Sequence, residues 1–425
     1  MPLEIPAFIS RRIDKPVAVL GAGVSGDGAA ALIARLGAAA AFYDRNGAEF
    51  TPEKARTHGL VIFSPGFHPG HPWLGIARDC GCMSIAELDF ASIFWRGRVV
   101  AVTGTNGKTT LTEFLAHALV RAGRRALATG NIGIPFSRVV ADEDGGVLET
   151  TAVCEVSSFQ AEQLGHFYAD GLIWTNFAED HLERHPDIGA YFAAKWVMVI
   201  RTAPGHLFVG SSVERAGVRL GRPLPPGACV PTEGQPADPR LEGTAFHAYP
   251  QRENFILAAA WWRSAGLDES VLYEAAHSFR VGRHRLGRVA TIDGVGYWND
   301  SKATNFHAVE AALGGFEAPV VLIAGGRSKG GDLAGFVGRI APRVSYAALI
   351  GETAPVLAAA FEAHGVPHSE CPSLDEAVRR AAGAAVAGGN VLLSPGFASF
   401  DMFSNYEDRG DRFEQAVAEL SSARV

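Results

Sequence analysis

Short unbroken apolar runs alternate with segments of helical period along almost the whole chain. Val17–Leu20, Phe42–Tyr43, Leu60–Phe63, Val99–Thr103, Val153–Val156, Leu172–Trp174, Leu207–Val209, Val320–Ala324, Ala347–Ile350 and Val391–Leu393 read as strands. Several are apolar at every position, the pattern of strands covered on both faces. Between them, Leu111, Phe114, Leu115, Ala118 and Leu119 recur at i, i+3, i+4, i+7 and i+8. That is one face of a helix, and Gly123 stands where such a helix is capped. Strand and helix in alternation predict an α/β protein built on parallel sheets.

At roughly 150 residues per domain, a chain of 425 residues holds about three domains. Ile93–Arg98 leads into a fresh strand, and the basic stretch Phe279–Arg288, with Gly282 and Gly287, opens a new strand set. These breaks predict domains over 1–96, 97–281 and 282–425. Gly217–Pro239 is rich in Pro and Gly and reads as a long loop inside the second. No repeat of fixed period occurs, but Ser-Pro-Gly stands at 64–66 and again at 394–396, each time after a strand-like run. Open α/β sheets bind ligands at the carboxyl ends of their strands, so both triplets are candidate site loops.

Composition narrows the class. With 48% apolar and 20% charged residues the chain matches ordinary globular usage, which excludes disorder, collagen and coiled coil. The net charge is −7 and there is no basic block, which speaks against nucleic acid as a partner. No run of about 18 apolar residues is present, so no membrane span is expected. Met1–Lys15 lacks the basic start and apolar run of a signal peptide, so a cytoplasmic location is expected. Five cysteines in so long a chain argue against a disulfide framework, and Cys80 and Cys82 have no second pair with which to bind zinc.

The strongest chemical signal runs from Val99 to Thr110, where a strand enters a glycine-containing loop followed by Lys108, Thr109 and a helix. Glycines let backbone N–H groups approach phosphate oxygens, and the helix N-terminus adds positive potential. Lys108 would reach the β- and γ-phosphates and the Thr109 hydroxyl would meet Mg²⁺. The loop is a variant, because Val102 stands where the usual pattern has its first Gly. A second loop, Gly21-Ala-Gly-Val-Ser-Gly26 with Asp44 after the next strand, has the dinucleotide pattern and predicts a Rossmann-like first domain. A helix N-terminus there holds any pyrophosphate, including that of a nucleotide sugar.

Glu155 ends another strand-like run, where a phosphate site needs a Mg²⁺ ligand. His181 and His185 share the spacing of a zinc motif. Glu183, however, occupies neither the H-E-x-x-H nor the H-x-x-E-H position, and Pro186 breaks a helix. His181 reads instead as a further metal ligand near the nucleotide. Lys195 taken alone reads as a solvated helix lysine. In the last domain Asn299–Thr304, Gly325–Gly331 and Ser394–Asp401 each follow a strand-like stretch and would open on one sheet edge. Lys302 and Lys329 on these loops suit a carboxylate-bearing substrate, although either alone reads as a surface lysine.

In this order the motifs resemble the Mur ligase family, over nearly the whole chain from Gly21 to Phe413. Thr103-Gly-Thr-Asn-Gly-Lys-Thr-Thr110 is similar to the family's ATP loop. Glu155–Gln160, Asn299–Asn305 and Leu392–Asp401 resemble its D-glutamate-adding branch. The resemblance implies a Rossmann-like UDP-binding domain, a central P-loop ATPase-type domain, and a C-terminal Rossmann-like α/β domain that brings in the amino acid. It implies that ATP phosphorylates the carboxylate of UDP-N-acetylmuramoyl-L-alanine, and that the amine of D-glutamate attacks the acyl phosphate. Such chemistry rests on positioning and charge neutralisation.

By the same resemblance, Gly104, Thr105, Asn106, Gly107, Lys108, Thr109 and Thr110 would bind ATP, with Asn254, Arg285 and Asp300. Thr109 and Glu155 would hold one Mg²⁺. His181 and Lys195, the latter carbamylated, would serve a second. Lys108, Glu155, His181 and Lys195 thus form the implied catalytic set. Asn131 and Ser157 would contact the muramoyl-alanine. Val24, Ser25, Asp44, Ser64, Pro65 and Gly66 would face UDP. Lys302, Thr304, Lys329, Ser399 and Tyr406 would receive glutamate. The expected form is a monomer.

The chain also departs from the family pattern. Arg45-Asn46 replaces a frequent Thr-Arg, the stretch from Asp44 to Ser64 is short, Pro250-Gln251 replaces His-Asn, and Tyr406 replaces a Phe. An extra hydroxyl in a buried pocket needs a partner. The alternatives are a sister ligase for another amino acid such as L-glutamate, a nicotinamide-dependent oxidoreductase using Gly21–Gly26, and a non-catalytic nucleotide sensor. An oxidoreductase has no need of Lys108.

Overall fold

The computed structural model describes residues 3–231 and 236–423. They divide into two compact units. The first contains residues 3–177, 189–231 and 254–279, and the second residues 178–188, 236–253 and 280–423.

The first unit carries two parallel sheets. Strands β1 (Val17–Leu20), β2 (Ala40–Tyr43), β3 (Leu60–Phe63) and β4 (Met83–Ala86) lie in the order β2-β1-β3-β4. Strands β5 (Arg98–Thr103), β6 (Arg125–Gly130), β7 (Thr150–Glu155), β8 (Gly171–Trp174) and β9 (Leu207–Val209) lie in the order β6-β7-β5-β8-β9. Every position of β1, β3, β7 and β8 is buried; β1, β3 and β8 carry no polar side chain but the Trp174 indole, as burial on both faces favours, whereas β7 buries Thr150, Thr151 and Glu155 as well. The two sheets share one apolar core, in which Val17, Ile62, Phe90, Phe136, Ala152 and Leu172 belong to a single cluster. Two carboxylates reinforce this junction. Asp89 Oδ1 accepts from the N–H groups of His166 and Phe167, each at 2.7 Å. Glu87 Oε1 accepts from Ser137 N at 2.9 Å, and burial raises its pKa.

The second unit carries one sheet. Its strands are β10 (Gly287–Ile292), β11 (Val295–Asn299), β12 (Val320–Gly325), β13 (Val344–Ile350), β14 (His368–Glu370) and β15 (Asn390–Leu393), in the order β10-β11-β15-β12-β13-β14. Only β10 runs antiparallel to its neighbour. Alternation sends Leu322, Leu349 and Leu392 to one face, with Val309, Phe336 and Phe361 of the covering helices. It sends Ile323, Ile350 and Leu393 to the other, with Leu374, Val378 and Phe413.

The strands that apolar runs do not reveal are β4, β6, β10, β11 and β14. All but β11 lie at sheet edges, where positions facing water become polar; β14 reads His-Ser-Glu, and the interior β11 mixes Gly296 and Asn299 with apolar residues. The helix expected around Leu111 spans Lys108–Arg121, and Gly123 follows it at φ 71°. The Pro/Gly-rich stretch from Gly217 begins later as a loop than its composition suggests. Gly217 to Arg219 close the helix Ser211–Arg219, whose buried side includes Val213, Ala216 and Gly217. Residues 232–235 of that stretch lie outside the described residues. No helix among the described residues is long and apolar enough to cross a membrane.

The carboxyl end of β11 carries a buried acid. Asp300 accepts from Leu286 N at 3.1 Å and from Ser394 Oγ at 2.8 Å. Burial lifts its pKa to about 7, against the opposing hydrogen bonds and the charges of Arg285 and Arg409. The folded state therefore keeps the proton that the unfolded chain releases near pH ~4. Stability from this group is full below that value and is lost as pH rises through about 7. Asn at this position can accept from Leu286 N through Oδ1 and donate its amide N–H to Ser394 Oγ, and it cannot ionise. Asp300→Asn should therefore gain in melting temperature relative to the wild chain between about pH 4 and pH 7. A pH-independent difference between the two melting curves would refute the assignment.

Candidate active site

The phosphate loop joins β5 to the helix Lys108–Arg121. Two of its glycines are required by geometry. A Cβ on Gly104 (φ 147°) would lie 1.9 Å from Thr175 Oγ1, and one on Gly107 (φ 81°) would lie 2.6 Å from Asn254 Oδ1. Thus Asn254, buried on the helix Gln251–Ser264, stands against the loop. Lys108 Nζ folds back onto Gly104 O (3.0 Å) and Thr105 O (2.8 Å). The Thr109 hydroxyl donates to Glu155 Oε2 at 2.7 Å, and Asn131 Nδ2 donates to Glu155 Oε1 at 3.0 Å. Glu155 is 2% exposed, so a carboxylate in a dry place faces a hydroxyl and an amide. Thr110 is buried in the first helical turn. Ser157 caps the helix Ser158–Ala161 in a reciprocal box with Gln160, so its hydroxyl already serves the backbone.

Lys195 corrects its own sequence reading. It is 1% exposed rather than solvated, because the helix Ile188–Ile200 turns this face toward the sheet. Its Nζ donates to Gly104 O at 2.8 Å and sits 5.0 Å from the centre of the Tyr191 ring.

The other loop of the first unit gathers the residues expected at UDP. β1 leads into Gly21, and the helix Val24–Arg35 starts after Gly23. Val24 is exposed and Ser25 half-buried in its first turn. Asp44, just past β2, accepts from Ala22 N at 2.9 Å and from Asn46 N at 3.3 Å. These backbone donors, Ala22 foremost, hold its carboxyl below the usual range. Ser64 follows β3 and donates to Leu20 O at 3.1 Å, with Pro65 and Gly66 beside it.

The second unit brings a different set together. His181 and His185 lie on a loop, not a helix, and His181 takes a positive φ of 58°. His181 joins Asp180, Thr304, Lys329 and Gly396 around one pocket. Lys329 Nζ reaches Thr304 Oγ1 at 3.5 Å. Glu183 accepts from His181 Nδ1 at 3.2 Å. Burial raises its pKa, but the His181 contact, its own backbone and the charge of Lys329 outweigh that and leave it lowered. Lys302 and Lys329 are half-buried rather than freely exposed. Lys302 Nζ lies 3.7 Å from the centre of the Tyr406 ring, a cation–π contact at the start of the helix Tyr406–Ala423. Arg285 precedes Leu286, whose N–H holds Asp300. Ser399 is buried, and its carbonyl accepts from Met402 N and Phe403 N. Of the four residues implied as catalytic, Lys108, Glu155 and Lys195 thus lie in the first unit and His181 in the second.

Two supporting residues receive no role from the sequence: Asn305, which ends the Asn299–Asn305 motif, and Arg409, which lies outside the motifs. Asn305 Nδ2 donates to Asp180 Oδ2 at 2.9 Å, and its Oδ1 caps the helix Phe306–Leu313. Arg409 is fully buried and ties two site loops together, donating to Ser301 Oγ (3.0 Å), Ser301 O (2.8 Å) and Phe397 O (3.1 Å). Burial lowers its pKa to about 10, which leaves it charged at neutral pH. Nothing in the spacing of these residues distinguishes them from surface polar positions. Among the described residues no three His, Cys, Asp or Glu side chains gather as a metal cage.

Comparison with known proteins agrees with this geometry. The Mur ligase middle domain matches residues 102–212, which include the phosphate loop, Glu155 and Lys195. The Mur ligase glutamate ligase domain matches residues 284–397, which include Asp300, Thr304 and Lys329. The UDP-N-acetylmuramoylalanine–D-glutamate ligase of Frankia casuarinae is 38% identical over 95% of this chain and 93% of its own. That of Pelodictyon phaeoclathratiforme is 34% identical over 96% and 99%. The fold is shared with the MurF ligase of Thermotoga maritima in complex with ADP, at 15% identity and a TM-score of 0.58 over 88% of this chain and 98% of that one. Identity sustained from end to end, with both domain matches falling on the loop-bearing sheets, shows that the chain belongs to the Mur ligase family.

Proposed function

We propose that this enzyme joins D-glutamate to UDP-N-acetylmuramoyl-L-alanine, with ATP supplying the driving force, in the synthesis of peptidoglycan precursors. One observation carries the reading. Lys108 folds onto the glycine-containing loop after β5 and Thr109 bonds Glu155 beside it, in a chain whose relatives named for that activity match it along nearly its whole length. Family membership and the phosphate loop set aside a nicotinamide-dependent oxidoreductase.

In the first half-reaction the alanyl carboxylate oxygen bonds to the γ-phosphorus as the bond to ADP breaks, giving an acyl phosphate. Lys108 exchanges its contacts to Gly104 O and Thr105 O for phosphate oxygens, and the helix N-terminus behind it favours the same charge. The rest of the loop, Asn254, Arg285 and Asp300 hold the nucleotide. In the second half-reaction the glutamate amine attacks the acyl carbon, phosphate leaves, and the amine releases a proton as the amide forms. Lys329 and Thr304, with Lys302 against Tyr406 and Ser399, receive the two glutamate carboxylates. Asn131 and Ser157 hold the muramoyl-alanine, and the loops at Gly21–Gly26, Asp44 and Ser64–Gly66 hold UDP. We assign UDP to residues 1–96, ATP to 97–281 and the amino acid to 282–425.

The oxygen donors of Thr109 and Glu155, 2.7 Å apart, suit Mg²⁺. A carbamylated Lys195, beside Gly104 O, would offer oxygen donors to a further ion on the first unit, and His181 would offer a nitrogen donor on the second. Mg²⁺ would neutralise charge on the transferring phosphoryl group. Carbamylation adds CO₂ to the Lys195 amine and turns a buried cation into an oxygen-donating anion.

Phosphate release should require ATP, the UDP-precursor and D-glutamate together. Release with L-glutamate instead would make the chain a sister ligase. Release indifferent to the amino acid would overturn the reading.

Activity should fall in CO₂-depleted buffer and return with bicarbonate if Lys195 is carbamylated. A CO₂-independent rate, with an unmodified Lys195 mass in the active protein, would reject that step.

Lys329→Ala should raise the D-glutamate KM by roughly 10–100-fold, the worth of one charge-assisted contact. ATP affinity, read by titration, should change far less. An equal loss of both would remove Lys329 from the amino-acid site.

A further inference from the structure

The phosphate loop is held by a residue that its motif does not contain. β8 ends at Trp174, and the chain then runs alongside the loop that follows β5. Thr175 N donates to Thr103 O at 2.9 Å, and Thr175 Oγ1 donates to Asn106 O at 2.6 Å. The next residue, Asn176, makes three contacts to two consecutive loop residues. Its Oδ1 accepts from Asn106 N at 2.9 Å, its Nδ2 donates to Asn106 O at 3.0 Å, and its own carbonyl accepts from Thr105 N at 3.1 Å. The side-chain amide thus pairs with both backbone groups of Asn106, as the peptide of a further strand would.

This pairing meets a specific need. Asn106 stands between Gly104 and Gly107, and glycine flanks give a loop more conformational freedom than any other residue. A loop free to wander would lose that freedom when it closed on phosphates, at a cost to affinity. The pairing also demands one acceptor and one donor in the same plane at fixed spacing. Asn supplies them, Asp lacks the donor, Gln is one methylene longer, and Ser reaches only one group.

We propose that Asn176 is a positioning residue of the ATP site: acting through Asn106, it holds the phosphate loop in its nucleotide-receiving shape before ATP arrives. The inference rests on the ATP reading of the loop. It places the effect of Asn176 on the phosphates and not on the adenine or the amino acid.

The test uses the full chain without nucleotide. In Asn176→Ala, amide hydrogen exchange across residues 104–107 should quicken while β5 stays protected. Affinity for ADP and ATP should fall about tenfold, as expected for two lost hydrogen bonds, and affinity for adenosine should hold. Unchanged loop exchange, or an equal loss of ADP and adenosine binding, would overturn the proposal. If the alanine variant does not fold, Asn176→Asp carries the test, because it keeps the acceptor and loses the donor. Its loop protection at about pH 8, where the acid is ionised and cannot donate to Asn106 O, should be reduced. Wild-type protection at about pH 8 would again overturn the proposal. A wild chain that binds ADP but releases no phosphate with D-glutamate would overturn the proposed function. The exchange and ADP measurements would still decide the role of Asn176.

Discussion

Where a parallel strand stops, its backbone groups lose their partners in the sheet, and here side chains at neighbouring strand ends take over that pairing. Asp44 after β2 holds Ala22 N in the loop after β1. Asn176 after β8 holds both backbone groups of Asn106 in the loop after β5. Asp300 after β11 holds Leu286 N, and Thr353 after β13 holds Gly326 N after β12 at 3.1 Å. Each buried or half-buried backbone donor left open would cost about 1–3 kcal/mol, so these clasps shape the loops as well as decorate them. Many of the residues proposed to bind UDP, ATP and glutamate sit on strand-end loops or in the first turn of the helix that follows, while Asn254 and Tyr406 sit on helices.

The covering of the sheets sets how firmly those loops are based. In the first unit, one apolar core spans both sheets, so the loops proposed for UDP and for ATP phosphates rise from a shared foundation. Asp89 and Glu87 add polar contacts across that junction. In the second unit the two faces of one sheet are packed by separate clusters. There the loops are tied by Arg409, whose fully buried guanidinium meets Ser301 and the carbonyl of Phe397. A cation so placed stays charged because its donors are satisfied, although burial lowers its pKa to about 10.

The same dryness alters the acids. Asp300 is raised to about 7 by burial, whereas Asp44, open to water and fed by backbone N–H groups, is lowered. Two aspartates with similar positions at strand ends therefore differ in charge near neutrality for a physical reason: one has lost its water and the other has gained donors.

What the sequence determined by itself was the chemistry-bearing loops and the strands buried on both faces. Unbroken apolar runs exposed β1, β3, β5 and β8, and the phosphate loop declared itself through Gly107, Lys108 and Thr109 between a strand and a helix. Edge strands β4, β6, β10 and β14 stayed hidden because one side of each meets water, which erases the apolar signal. Only the tertiary structure decided that Lys195 is buried against the phosphate loop, that His181 shares a pocket with Thr304 and Lys329, and that Asn176, Asn305 and Arg409 hold site loops. The hydrogen bonds by which Lys195, Lys329, Asn176, Asn305 and Arg409 reach another segment span 12 to 125 residues of sequence. Such pairings depend on which strands the fold sets side by side, and local periodicity carries no record of that.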